Sequence, residues 1–236
     1  MDMHKQTVDF DANPPVFSTE YDDRARQALP GYEAMHTMAL SSLKFHLPET
    51  ANVLIVGAGT GMELVKFSKS NSQWQLLGVD PSSNMLAIAQ QKITQDDSSN
   101  RIKLFQGYTH DLPDMLLYDG STCILVMHFL PDDGSKLALL QSIAQRLQSA
   151  APLILVDIFG EKGSPEFEKL TAIVKHYWEE RGIPLEQREE ISASSNNRVY
   201  PITESRTIEL LQQTGFDNIV RFYTGLGTGG WVAAKN

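Results

Sequence analysis

Apolar and polar positions alternate between two periods along this chain. Residues 52–56 read NVLIV, a short and wholly apolar run rich in β-branched residues, as a strand buried on both faces requires. GMELVKFSKS then has helical spacing, and QLLGVD (75–80) is the next strand. SSNMLAIAQQKI begins on a serine cap and continues as a helix. RIKLFQG (101–107) is a third strand and STCILVM (121–127) a fourth. SKLALLQSIAQRLQ follows, with Leu137, Leu140, Ile143 and Leu147 on one face, and PLILVDIF (152–159) is a fifth strand. Such alternation predicts an α/β fold with a parallel sheet covered on both faces.

After the fifth strand the pattern changes. SPEFEKLTAIVKHYWEERG carries Ser164 as cap, Pro165 at the first helical position and Gly182 as stop. Residues 183–202 read as polar and irregular. TESRTIELLQQTG is another capped helix. FDNIVRFYT and GGWVAAKN form a terminal antiparallel hairpin, the sixth and seventh strands. Ahead of the first strand, YDDRARQALPGYEAMHTMALSSLKF predicts two helices broken at Pro30–Gly31, and ANPPVF (12–17) a proline-stiffened arm. The expectation is one domain over 1–236, with a helical cover at 1–48 and an insertion at 160–202 that covers the binding site, since such segments lie at the ligand-binding edge of α/β sheets.

Composition narrows the class. With 42% hydrophobic and 21% charged residues the chain reads as an ordinary soluble protein, expected in the cytoplasm. No apolar run reaches the roughly 20 residues of a membrane span, and the N-terminus has no signal-peptide pattern. One cysteine, Cys123, excludes an internal disulfide and a cysteine zinc cluster, and no metal is expected. A net charge of −9 disfavours nucleic acid as partner and points to a small-molecule substrate; a homodimer is compatible with it.

The chemistry concentrates at VLIVGAGTGMEL (53–64). Gly57, Gly59 and Gly61 give Gly-x-Gly-x-Gly, whereas a dinucleotide fingerprint has its third glycine one position later, at Met62. Asp80 ends the second strand, where a carboxylate can take both hydroxyls of a ribose or cap the following helix. VLIVGAGTG, GVDPSSNML, QGYTHDLP and ILVMHFLPDD, in this order, resemble the class I S-adenosylmethionine-dependent methyltransferases. The resemblance implies a Rossmann-like seven-stranded, mostly parallel sheet in the order 3-2-1-4-5-7-6, with strand 7 antiparallel, and S-adenosyl-L-methionine as cofactor. It implies that Gly57, Ala58 and Gly59 pass under the methionine part and that Asp80 takes the ribose. Pro81 and Met85 would pack on the adenine, Thr109 and His110 flank its edge, Val126 and Met127 lie toward the sulfonium, and Tyr32 reaches in from the cover. PGY at 30–32 is similar to a subgroup that includes carboxy-S-adenosylmethionine synthase. Two positions depart from the pattern. Ile55 stands where many relatives have an aspartate that orients the methionine amine, and Tyr108 where many have a carboxylate near the adenine amine.

Methyl transfer from a sulfonium needs positioning above all, and a base only where the acceptor loses a proton. The candidates for catalysis are His128, after the fourth strand, and Arg198 and Tyr200 in NNRVYP. Each has a plainer reading, as packing histidine or loop scaffold. Asp157 either faces the site or holds a loop, and His176 reads as a surface residue. The function read from the sequence is methyl transfer to a small-molecule acceptor. The alternatives are a carboxy-S-adenosylmethionine synthase-like enzyme, a non-catalytic cofactor-binding or partner-binding module, and a nicotinamide oxidoreductase, which Met62 and the terminal hairpin oppose.

Overall fold

A computed structural model describes residues 9–12, 20–96, 99–113 and 116–236. Apart from Ala12, the arm at 12–17 lies outside the described residues. Helices α1 (Tyr21–Ala28) and α2 (Tyr32–His46) precede β1 (Asn52–Val56). Then come α3 (Met62–Ser70), β2 (Gln75–Asp80), α4 (Ser83–Gln95), β3 (Ile102–Gln106), β4 (Gly120–Ile124), α5 (Ser135–Ala144) and β5 (Pro152–Ile158). Helices α6 (Pro165–Glu180), α7 (Leu185–Arg198) and α8 (Glu204–Gln213) lead to β6 (Phe216–Gly225) and β7 (Thr228–Lys235). The sheet runs β3-β2-β1-β4-β5-β7-β6, and β7 lies antiparallel between β5 and β6.

The strand residues divide by parity, as pleating demands. Val53 and Ile55 join a core with Met35 and Leu43 of α2 and Leu64 and Phe67 of α3. Leu54 and Val56 face the other way, into a core with Leu140 of α5, Leu210 of α8 and Trp231 of β7. Both faces of β1 are thus dry, and its apolar run follows from that.

Two expectations need correction. Residues 183–202 are not irregular, because α7 occupies most of them. None of its residues is buried, so the sequence there has no apolar stripe for periodicity to reveal. The fourth strand stops at Ile124 rather than at 127: Leu125 adopts φ 60°, and Met127–Phe129 form a 3₁₀ turn. No described helix is long and apolar enough to cross a membrane.

Candidate active site

The turn after β1 is built from Gly57 and Gly59, at φ 70° and 50°, where a side chain is strained. The N–H groups of Gly57 and Ala58 both donate to the Val79 carbonyl, at 2.8 and 3.0 Å. Gly59 N–H donates to Asp80 Oδ2 and Ser82 N–H to Asp80 Oδ1, each at 2.9 Å. Burial raises the Asp80 carboxyl, and these two N–H donors oppose the rise. Each oxygen keeps a lone pair for a ligand hydroxyl. Gly61 serves packing instead: a Cβ on it would lie 2.9 Å from the Ala89 Cβ of α4.

A cavity of about 270 Å³ opens above this turn. Gly57, Ala58 and Gly59 line its floor, Asp80, Pro81 and Met85 one side, and Thr109 and His110 the loop after β3. Tyr32 and Val126 complete the expected set, whereas Gly61 and Met127 are not on the wall; Met127 is buried in the α5-side core. A 0% exposed Ile55 lies behind the wall, and Tyr108 lines it with its ring stacked on His110, 5.4 Å between centroids.

Several wall residues were not foreseen. Phe10 covers the cavity and meets Phe129 edge-on at 5.4 Å. Asp11 beside it accepts from Ser82 Oγ, Ser83 N and Asn84 N at the start of α4. Burial would raise this carboxyl, but those donors outweigh it and hold it at about 2. From α1, Tyr21 and Asp22 reach the wall; Asp22 accepts from Thr60 Oγ1 at 2.5 Å and pairs with Lys92 of α4. Glu63, in the first turn of α3, is 5% exposed and accepts from Thr122 Oγ1 at 2.6 Å. Burial pushes its carboxyl up to about 7. The nearest sequence signal for Glu63 was an acid set inside an apolar helix face.

Burial also pushes the Tyr21 phenol to about 12, raises Tyr32, and drives His36 down to about 4. The wall therefore carries carboxyl groups at Asp22, Glu63 and Asp80, and none of its described residues is Lys or Arg. Such a wall suits a ligand that carries positive charge. S-adenosylmethionine fits this wall: it is cationic, Thr109 Oγ1 is buried without a partner, and a Cβ on Gly59 would meet only the Gly57 oxygen, at 3.9 Å.

A second cavity of about 170 Å³ lies between α1 and α7, and Tyr21, Leu125 and Phe129 line both. His128 lines the smaller one. Its Nδ1 is hydrogen-bonded to Asp157 Oδ1, which also accepts from Ile158 N–H at 2.8 Å, and both side chains are buried. Asp157 Oδ2 has no partner. Tyr200 and Arg198 line neither cavity. Tyr200 N–H donates to the His128 carbonyl at 2.7 Å, and Arg198 is the last residue of α7. His176 is exposed beside Glu179. Among the described residues no group of His, Cys, Asp and Glu is gathered to hold a metal ion.

Residues 54–153 match the family model described as a methyltransferase domain. The chain is 24% identical to the carboxy-S-adenosyl-L-methionine synthase of Staphylococcus epidermidis, over 92% of this chain and 93% of that one. It is 26% identical to the demethylmenaquinone methyltransferase of Lactiplantibacillus plantarum, over 78% of each. The solved apo structure of the S-adenosylmethionine-dependent methyltransferase SibL has a TM-score of 0.65 at 12% identity, over 95% of this chain and 59% of SibL. This chain thus spans under two thirds of SibL, and that likeness is one of fold.

Proposed function

We propose that this chain, which carries a methyltransferase domain at residues 54–153, is a class I S-adenosylmethionine-dependent enzyme that transfers a methyl group to a small, largely apolar acceptor held in the smaller cavity. The observation that carries this reading is the shared wall: Tyr21, Leu125 and Phe129 border the glycine-floored cavity on one side and the His128 cavity on the other. Two adjoining compartments that share three lining residues suit a two-substrate transfer, in which the acceptor atom must meet the methyl group where they adjoin.

S-adenosylmethionine, when bound, supplies an electrophilic methyl group and its own leaving group. Asp80 would hold the ribose hydroxyls, the Gly57–Gly59 backbone the amino-acid part, and Thr109, through its unpartnered hydroxyl, the adenine. Tyr21, Phe10 and Phe129 exclude water. On the other side, Ala25, Ala28, Leu29, Ile158 and Ile191 give the acceptor an apolar bed. His128 takes the acceptor's proton at the ring nitrogen that is not bonded to Asp157, and Asp157 holds the ring and answers its charge. Tyr200 acts through its backbone by fixing the His128 carbonyl. Arg198 has no part in this scheme.

Synthesis of carboxy-S-adenosyl-L-methionine, for which the Staphylococcus relative is named, would need a cation beside the added carboxylate. None of the described residues of the larger wall is Lys or Arg, and Arg24 on the smaller wall is already paired with Glu20 and Glu190, which favours methyl transfer over it. The test is calorimetric titration with S-adenosylmethionine and S-adenosylhomocysteine. Micromolar binding that Asp80→Ala weakens at least tenfold is the expected result, since hydrogen bonds to a charged group contribute about 1.5–3 kcal/mol. Absence of binding to the unaltered protein would leave a non-catalytic module as the better account.

A further inference from the structure

One buried acid has no place in that scheme. Glu63 is 5% exposed, lines the larger cavity and forms no ion pair among the described residues. Its one described partner is Thr122 of β4, and Thr122 is the register partner of Ile55 on β1. Side chains of register partners leave the same face of a sheet. The Glu63 carboxylate therefore arrives, from α3, on the face and at the level where residue 55 of β1 points. Where a carboxylate at position 55 would act, this chain has Ile55 buried in the core and an acid approaching from the helix above it.

We propose that Glu63 is the counter-charge for the α-ammonium group of the bound cofactor, filling from α3 the role that Ile55 leaves open on β1. This rests on the cofactor reading above. Burying an acid costs several kcal/mol unless something charged answers it. Nothing on the surrounding elements does. Facing the same space are Tyr21 and Asp22 from α1, Tyr32 and His36 from α2, Asp80 from β2, and Thr122 on β4. Burial keeps both tyrosines protonated, and His36 neutral above about pH 4. Asp22 is already paired with Lys92, and Asp80 is held by two backbone N–H groups. The ammonium of an amino-acid moiety is the missing cation.

Linkage gives the experiment. With the free carboxyl at about 7, ionised Glu63 is the minor form at pH 6 and the major form at pH 8. A ligand that needs the ionised form binds about tenfold more weakly at pH 6 than at pH 8. The probes are S-adenosylhomocysteine, which has the ammonium, and 5′-methylthioadenosine, which lacks the whole amino-acid part. The expected result is a pH-dependent Kd for the first and a flat one for the second. Glu63→Gln, which keeps the Thr122 hydrogen bond, should abolish the pH dependence, weaken S-adenosylhomocysteine tenfold or more at pH 8, and leave 5′-methylthioadenosine within about twofold. Equal pH dependence for both probes, or its survival in Glu63→Gln, overturns the proposal. If neither probe binds, the cofactor reading itself fails.

Discussion

Gly57 and Val126 stand so close that a methyl group on Gly57 would lie 2.2 Å from Val126 Cγ2. The end of β1 and the turn after β4 are thereby locked face to face at the floor of the larger cavity. Gly57→Ala would meet two penalties. A left-handed conformation costs a side chain about 1–2 kcal/mol, and overpacking a tight site costs about 1–3 kcal/mol. Urea unfolding should register a loss of about 2–5 kcal/mol. Titration with S-adenosylhomocysteine should show binding reduced further than the stability loss explains. An unchanged midpoint would mean that the turn has slack that the contact does not show.

His36 and Glu63 make opposing demands on the acid side of neutrality. His36 is held neutral in the fold down to about pH 4, while in the unfolded chain it charges near 6.5. Between these values the unfolded state holds the extra proton, so stability falls as pH falls. Glu63 stays protonated in the fold up to about 7 but ionises near 4.5 when unfolded. There the folded state holds the extra proton, so stability falls as pH rises. From about pH 4.5 to 6.5 the two slopes, each about 1.4 kcal/mol per pH unit at most, cancel. Denaturant titrations should give a nearly level curve for the unaltered protein. Glu63→Gln should show a curve falling toward acid, and His36→Phe one falling toward neutral pH. Parallel curves for all three would refute the assignment.

The His128–Asp157 pair predicts a clean division between binding and turnover. Neither residue lines the larger cavity, so His128→Asn and Asp157→Asn should keep the S-adenosylhomocysteine Kd within about twofold. With an acceptor found by screening phenols, enols and amines, His128→Asn should lower kcat by about 10²–10⁴ and leave the acceptor KM nearly unchanged. Asp157→Asn should lower kcat less, because the ring remains but is no longer held by a carboxylate. A matched loss in cofactor affinity would show the pair to be a structural strut beneath Leu125.

Much of this site was legible in the sequence because it is local. The glycine turn, Asp80 and the serine cap of α4 fall within a few dozen residues, and each has a backbone reason to be where it is. What was not legible is what distant segments do to each other. Asp157 and His128 were each plausible alone, and their hydrogen bond exists because β4 and β5 are neighbours in the sheet. Glu63 reads as one polar residue in a helix until Thr122 and Ile55 are seen to be register partners. Met127 falls off the wall because Leu125 bends the chain out of β4 earlier than its apolar run indicates. Helix α7 carries no periodic signal, since it buries nothing and is held at its edge by contacts such as Arg24–Glu190.

The antiparallel β7 has a consequence for how the chain is made. It emerges from the ribosome after β5 and β6, yet its place is inside the sheet, between them. Until it arrives, β5 has β4 on one side and an open row of backbone donors and acceptors on the other. Its residues Leu153–Val156 are wholly apolar and end buried at 1% exposure or less. A nascent chain stalled within α6, α7 or α8 would therefore present a sticky edge to its neighbours at the moment when it has no strand to offer itself. Synthesis at about 5–20 residues per second keeps that edge open for several seconds, an interval in which a chaperone would find its substrate.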